Sequence, residues 1–264
     1  MKIILALIIC FITILFNKSI VESKYYGVQY QESTCGFNNQ PCSIYKIFEI
    51  GAKDVTYKLD YSHYGDILGR DFKLFEKVIS GTFVDGYFQI EKIFQQLAHP
   101  GRKFEYSLDD KIFTIRENTS MVEQINFESN NKEMTKIYQT YGDEVQNLQV
   151  NWLNKKVLDG DAIFTTINSL ITASGGVVEC DYIWVTIPDP VGCAPIKDRC
   201  SFPFILTPTY TRDDSRCIKF TGCVRILKNP LCIFDLTGCP AGYKKVTFAS
   251  GPDACPKIYC DPNF

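Results

Sequence analysis

Cysteine is the residue type in this sequence best suited to chemistry, and it concentrates towards the C-terminus. Of the 12 cysteines in the 264-residue chain, nine lie between Cys180 and Cys260. A zinc site needs thiolates about two to four residues apart, because one tight turn must aim both at the ion. No C-x2-C pair occurs, and Cys255 and Cys260 are the nearest match. The spacing therefore predicts disulfides and no metal site, and it indicates no cofactor.

The number of cysteines predicts that one of them is unpaired. Removal of Cys10 with the N-terminal leader leaves eleven, which cannot all pair within one chain. The odd one is predicted to be Cys180, which lies in the apolar run VVECDYIWV rather than beside a turn. A buried thiol in a monomer is predicted, with an intermolecular disulfide or a bond to the first region as alternatives. Cys35 and Cys42 form the natural local pair, and the candidate disulfide cysteines are Cys35, Cys42, Cys193, Cys200, Cys217, Cys223, Cys232, Cys239, Cys255 and Cys260.

Catalytic motifs are missing from the sequence, and its two histidines are separated. There is no G-x-S-x-G, H-E-x-x-H, G-x-x-x-x-G-K-[ST] or G-x-G-x-x-G pattern. His99 is predicted to cap the surface end of a helix, and His63 lies in an acidic, tyrosine-rich turn. The adjacent acids Asp109–Asp110 and Asp213–Asp214 are predicted to lie in turns. No catalytic residue is assigned, and the balance is against an enzyme.

The N-terminus has the pattern of a secretory signal. Lys2 precedes an apolar run from Ile3 to Phe16, which is shorter than the ~20 residues that a membrane span needs. Val21 and Ser23 suit a cleavage site, so the mature chain is predicted to begin at Lys24. An uncleaved anchor is the alternative. Secretion predicts an extracellular protein without a later transmembrane span, in an oxidising environment where disulfides persist.

Composition divides the mature chain into two predicted regions, 24–176 and 177–264. Ten of the 12 prolines and nine cysteines fall in the second region, where covalent closure would help a small core. A single domain in which the second region wraps the first is the alternative. The net charge of −2 includes no basic block, which argues against nucleic acid as a partner.

Hydrophobic periodicity predicts an α+β fold, mostly antiparallel β, in which a mixed N-terminal domain precedes a disulfide-stapled, loop-rich β region. Helices are predicted over Tyr87–Gly101, where apolar residues recur at helical spacing, and over Asp161–Gly176, where threonines make a strand the alternative. Strands are predicted over Asp54–Tyr61, in a hairpin at Lys103–Arg116, and over Met121–Phe127 and Val177–Ile187.

A glycosylation sequon lies in a predicted loop at Asn118-Thr119-Ser120, which predicts a glycoprotein. The leader MKIILALIICFITILF and the ending C-P-x-G-Y…C-P-K-I-Y-C-D-P resemble secreted, cysteine-rich proteins of unknown function from social amoebae. The resemblance implies an extracellular, disulfide-bonded glycoprotein and assigns no functional residue.

The function predicted from these features is non-enzymatic: binding of an extracellular protein or glycan, or a role in a matrix. A secreted hydrolase with Asp/Glu acid–base residues is one alternative. A protease inhibitor is another, because disulfide-rich loops can present a rigid inhibitory segment. A cleft with convergent carboxylates would favour the hydrolase.

Overall fold

The structure is a computed structural model of the chain. It describes residues 24–35, 40–52, 56–59, 77–84, 87–99, 111–116, 121–127, 132–166, 176–190, 192–197, 200, 206–225, 232 and 238–264.

Five N-terminal strands form an antiparallel sheet in the order β3-β2-β1-β4-β5. The longest pairing joins β1 and β2, with Tyr26 opposite Glu49. The side chains of Tyr26, Ile47 and Ile79 are buried on one side of this sheet. The strands are β1 (Lys24–Cys35), β2 (Gln40–Glu49), β3 (Thr56–Leu59), β4 (Val78–Val84) and β5 (Tyr87–Gln96).

The next five strands close into a small barrel. Strand β6 pairs with β7 and β9, β7 pairs with β8, and β10 pairs with both β8 and β9. The β8–β10 pair is parallel, and helices lie between β8 and β9. This connectivity is that of an OB-type barrel. The strands are β6 (Ile112–Ile115), β7 (Met121–Gln124), β8 (Lys132–Gln139), β9 (Ala162–Thr166) and β10 (Gly176–Ile187).

Two short helices cover the barrel core among the described residues: α1 (Tyr141–Glu144) and α2 (Val150–Leu158). Helix α2 buries Trp152, Leu153 and Val157, which are spaced as one helical face. The same core includes Phe164, Cys180 and Val185 from the barrel strands and Tyr243 and Cys260 from the C-terminal region.

Beyond β10, the described residues of the C-terminal region include two antiparallel hairpins. The first pairs β11 (Leu206–Arg212) with β12 (Ile218–Arg225), and the second pairs β13 (Tyr243–Ser250) with β14 (Cys255–Pro262). Aromatic rings connect the hairpins, since Tyr210 and Phe248 are in edge contact with centroids 6.4 Å apart. The prediction of a mostly antiparallel β fold with a disulfide-stapled C-terminal region is confirmed.

The predicted helix over Tyr87–Gly101 is wrong, because this segment forms strand β5. Neighbouring residues of a strand face opposite sides, and here both sides are buried: Ile93 packs in one core cluster and Phe94 in another. A strand that is buried on both faces can carry apolar residues at any position, including the i, i+3 and i+4 spacing of an amphipathic helix. Strand β5 also joins the N-terminal sheet to β10 of the barrel.

The predicted helix over Asp161–Gly176 is also wrong for Ala162–Thr166, which forms strand β9, the alternative that its threonines had indicated. Residues 167–175 lie outside the described residues. Strands at Thr56–Leu59, Met121–Gln124 and Gly176–Ile187 confirm three predictions. In the predicted hairpin, Ile112–Ile115 is a strand, whereas 103–110 lies outside the described residues.

Candidate functional site

Four disulfides within the described residues form two repeats of one pattern. In each repeat the first cysteine bonds the third and the second bonds the fourth. We call residues 193–225 module 1 and residues 232–262 module 2. The cysteine spacings are C-x6-C-x16-C-x5-C in module 1 and C-x6-C-x15-C-x4-C in module 2. The bonds are Cys193–Cys217, Cys200–Cys223, Cys232–Cys255 and Cys239–Cys260.

In each module the two disulfides therefore connect the first two cysteines, which precede the first strand, to the hairpin that follows. In module 1 the bonds reach Cys217, just before β12, and Cys223, within it. Every residue from Gly192 to Lys197 is exposed, and residues 193–197 form no helix, turn or strand pairing. The near-equal spacing makes this repeat visible in the sequence, although its period is not constant.

Buried ion pairs join module 1 to the barrel and to module 2. Arg216 binds the carboxylate of Asp189 at 2.5 Å, and the guanidinium of Arg212 binds Asp261 through two hydrogen bonds of 2.8 and 2.6 Å. All four side chains are less than a tenth exposed. Arg216 also stacks over the ring of Trp152 in α2, 4.3 Å from its centroid. These contacts orient the modules on the barrel.

A small cleft beside α2 contains four aspartates. Asp159 binds Lys155, Asp161 binds Lys92 at 2.9 Å, and Asp189 binds Lys156 at 3.0 Å as well as Arg216. Three of its four carboxylates are thus ion-paired, which favours a structural role for them. The cleft has a volume of about 120 Å³ and is lined by Trp152, Lys155, Lys156, Asp159, Asp161, Asp189, Asp214 and Ser215.

A larger cleft lies where the end of β5 meets the C-terminus. Its volume is about 430 Å³, and its lining is mostly amide and apolar: Gln95, Gln96, Leu97, Ala98, His99, Ala241, Gly242, Pro262, Asn263 and Phe264. The Tyr243 hydroxyl donates a hydrogen bond of 2.7 Å to the Ala98 carbonyl and so holds module 2 beside this strand. An uncharged polar ligand suits this lining better than an ionic one.

His99 is not a surface cap, and the structure corrects that prediction. It follows strand β5, its side chain is 1% exposed, and its Nδ1 lies 3.0 Å from a carboxylate oxygen of Glu144. The rings of Tyr141 and Tyr182 pack against it, with centroids 5.1 and 5.6 Å away. Because the predicted helix is a strand, His99 enters the interior. No serine or cysteine lines its cleft among the described residues.

Cys180 lies inside the barrel without a disulfide partner among the described residues. Burial raises the pKa of its thiol well above the ordinary range. Since the thiolate is the nucleophile, we expect this cysteine to be unreactive in the folded chain.

The acids Asp213–Asp214 lie at a turn between β11 and β12. The Asp213 carboxylate accepts hydrogen bonds from the backbone of Ser215 and Cys217. Its pKa is lowered, chiefly by its hydrogen bond with Lys219. Asp213 therefore stabilises the turn.

Several predicted sites stay predictions. His63, Asp109–Asp110 and Asn118 lie outside the described residues. The disulfide predicted between Cys35 and Cys42 also stays a prediction; the backbone pairing of β1 and β2 places Cys42 opposite Ser33 and Cys35 opposite Gln40.

Within the described part of the chain, no group of three or more His, Cys, Asp or Glu side chains is placed to hold a metal. None of the helices described there is both long and apolar enough to cross a membrane.

Comparison with known proteins yields one partial similarity. The chain is 31% identical over 134 residues to an uncharacterised protein of Dictyostelium discoideum, a match that covers 48% of this chain and 43% of that protein. This confirms the resemblance to social-amoeba proteins. The chain thus spans less than half the length of this relative. No protein-family model and no solved structure matches the chain.

Proposed function

We propose that the mature chain is a secreted, extracellular glycoprotein that binds a protein or glycan partner without catalysing a reaction. The observation that carries this proposal is the pair of disulfide-locked modules, in which buried ion pairs fasten module 1 to the barrel and to module 2. Disulfides persist outside the cell, and a surface that is rigid before binding loses less conformational entropy when a partner docks.

The barrel supports binding as the class of function. OB-type barrels bind oligosaccharides and oligonucleotides, although one fold hosts many functions. The net charge of −2 without a basic block disfavours the oligonucleotide. The mostly uncharged lining of the larger cleft is compatible with a glycan.

Secretion and binding are tested on protein collected from the culture medium. N-terminal sequencing should begin at Lys24 or within a few residues, and a peptide N-glycosidase should reduce the mass unless Asn118→Gln has removed the sequon. Retention in the membrane fraction with Met1 intact would contradict secretion. The purified protein is then screened against glycan and extracellular-protein arrays, where saturable binding that disappears on reduction is expected.

A secreted hydrolase is the second candidate, and the four-aspartate cleft beside α2 is the observation that favours it. A generic panel of glycosidase, esterase and peptidase substrates separates the candidates. Turnover that is lost in Asp161→Asn or Asp214→Asn, but kept when the exposed control Asp253→Asn is made, would establish the hydrolase. Array binding without any turnover would support the binding protein.

A further inference from the structure

The larger cleft, where the end of β5 meets the C-terminus, is built on a closely packed junction. A Cβ atom at Gly242 would lie 2.2 Å from the Cβ of Ala98, so only glycine allows the two segments to approach this closely. The backbone amide of Asn263 donates a hydrogen bond of 2.9 Å to the Gly242 carbonyl, and the Tyr243 hydroxyl donates one of 2.7 Å to that of Ala98. The cleft is therefore pre-formed, which lowers the entropic cost of binding.

The cleft has the size of a small-molecule site and an uncharged lining. Its volume of about 430 Å³ falls within the range of about 300–1,000 Å³ that is usual for ligand pockets. No lysine, arginine, aspartate or glutamate lines it among the described residues, and the Nδ1 of His99 lies 3.0 Å from a carboxylate oxygen of Glu144. A charged ligand would lose hydration there without gaining an opposite charge. The cleft therefore suits a neutral ligand.

Three side chains of the cleft are accessible to a ligand: Gln96 and Phe264 are half-buried, and Asn263 is exposed. No hydrogen bond joins the side-chain amide of Gln96 or Asn263 to another described residue. An amide offers one acceptor oxygen and two N–H donors, and each hydroxyl group of a sugar both donates and accepts. The ring of Phe264 supplies an apolar surface for the C–H face of a sugar.

A peptide fits this cleft less well than a sugar. Extended peptides are bound largely through main-chain hydrogen bonds along an unpaired strand edge. At this end of β5 the Leu97 N–H already donates a hydrogen bond of 2.9 Å to the Ile183 carbonyl, and the Ala98 carbonyl accepts one from the Tyr243 hydroxyl. Recognition in the cleft therefore depends on side chains, and amides beside an aromatic ring match the hydroxyl groups and the C–H face of a sugar.

We propose that the larger cleft binds a neutral oligosaccharide. The side-chain amides of Gln96 and Asn263 hydrogen-bond its hydroxyl groups, and the ring of Phe264 covers the C–H face of one sugar. This inference rests on the proposed function, a non-enzymatic extracellular binding protein, and names the class of its partner and the place of its binding site.

The test applies the purified, disulfide-intact mature chain to an array of neutral, sialylated and sulfated oligosaccharides. Neutral oligomers of glucose, mannose, galactose or N-acetylglucosamine should bind saturably, and titration calorimetry then gives Kd for the one that binds best. Gln96→Ala and Asn263→Ala should each raise this Kd about 10-fold, because each removes hydrogen bonds to hydroxyl groups. The matched control Asn151→Ala removes an exposed amide of α2 and should leave Kd unchanged.

Two further positions test the place of the site. Phe264→Ala should raise Kd about 10-fold, whereas Phe264→Tyr keeps an aromatic ring and should retain binding. Ala241 is exposed at the cleft, so Ala241→Trp should fill it and abolish binding. Circular dichroism of each variant confirms that it is folded.

Three outcomes would overturn the inference: binding of sialylated or sulfated oligosaccharides only, neutral binding that survives Ala241→Trp, or neutral binding that neither amide variant weakens. Saturable binding to the extracellular-protein array without any oligosaccharide binding would refute this inference and leave the binding function standing. No binding to either array would refute both.

Discussion

At the scale of single residues, buried charge organises the junction between the modules and the barrel. Asp189 follows β10, Arg216 lies in the turn of module 1, and their side chains are 4% and 3% exposed. Removal of one partner from a buried pair leaves an uncompensated charge and costs far more than loss of an exposed pair. Breaking an ion pair of the same residue types at the surface is therefore expected to cost much less stability than breaking this buried pair.

Asp189→Asn should lower the free energy of unfolding by about 3–5 kcal/mol, because Arg216 and Lys156 would both lose this carboxylate and Arg216 would keep only its 3.8 Å contact with Asp261. The control Lys155→Ala breaks the exposed pair with Asp159 and should cost less than about 1 kcal/mol. Urea unfolding with the disulfides intact measures both. Similar losses for the two variants would show that the buried pair is no more important than the exposed one.

Cys180 should be unreactive towards iodoacetamide at pH 8 in the native chain and alkylated once in guanidinium. Burial raises the pKa of its thiol, so almost no thiolate exists at that pH. Mass spectrometry of peptides from non-reduced protein reports the site. Native-state labelling of Cys180, or a dimer that dissociates on reduction, would contradict this prediction.

At the scale of elements, the two modules share their disulfide pattern and differ in what their bonds contact. Cys260 is 2% exposed and belongs to the barrel core, with Cys239 packed against it. Cys232 and Cys255 are partly exposed. The bonds Cys239–Cys260 and Cys232–Cys255 close segments of similar separation, 21 and 23 residues. Their chain-entropy contributions should therefore be nearly equal.

Replacing both cysteines of either pair with alanine should cost about 3 kcal/mol through the unfolded chain. Loss of Cys239 and Cys260 should cost about 1 kcal/mol more, because sulfur atoms leave a packed core. Urea unfolding of the two double variants compares them, and each serves as the other's control. Equal losses would mean that the core contact of Cys260 adds nothing.

At the scale of the whole molecule, contacts between the two predicted regions are extensive. Strand β10 (Gly176–Ile187) spans the boundary predicted at residues 176/177, and it pairs with β5, β8 and β9. The Cys260 backbone donates a hydrogen bond to the Asn147 carbonyl, and Tyr243 packs in the barrel core. These contacts favour the alternative in which the C-terminal region packs onto the first region as part of one unit.

Reduction should therefore remove hydrogen-exchange protection from β11 to β14 first, while β10 stays protected. The hairpins depend on covalent closure, whereas β10 is hydrogen-bonded to strands on both sides. Exchange measured by mass spectrometry with and without reductant tests this difference. Loss of protection in β10 together with the hairpins would mean that the disulfides support the whole sheet.

The sequence alone determined features that depend on composition and short-range pattern. A zinc ribbon needs cysteines in close pairs, and the C-terminal cysteines are not spaced in this way. Their spacing therefore favoured disulfides over a zinc ribbon before the structure was known. Alternation of apolar and polar residues also predicted a strand over Asp54–Tyr61, of which Thr56–Leu59 is a strand in the structure. The repeated cysteine spacing was present in the sequence as well, although it does not recur at one exact period.

Only the tertiary structure decided which apolar residues share a face and which charged groups meet. Ile93 and Phe94 are buried on opposite sides of β5, so the spacing of apolar residues in this segment matched that of a helix face. The predicted helix placed His99 at the surface, whereas the structure buries its side chain. The pairs Asp189–Arg216 and Arg212–Asp261 join residues 27 and 49 positions apart. Such contacts depend on how strands pack and pair across the molecule, which local propensity does not encode.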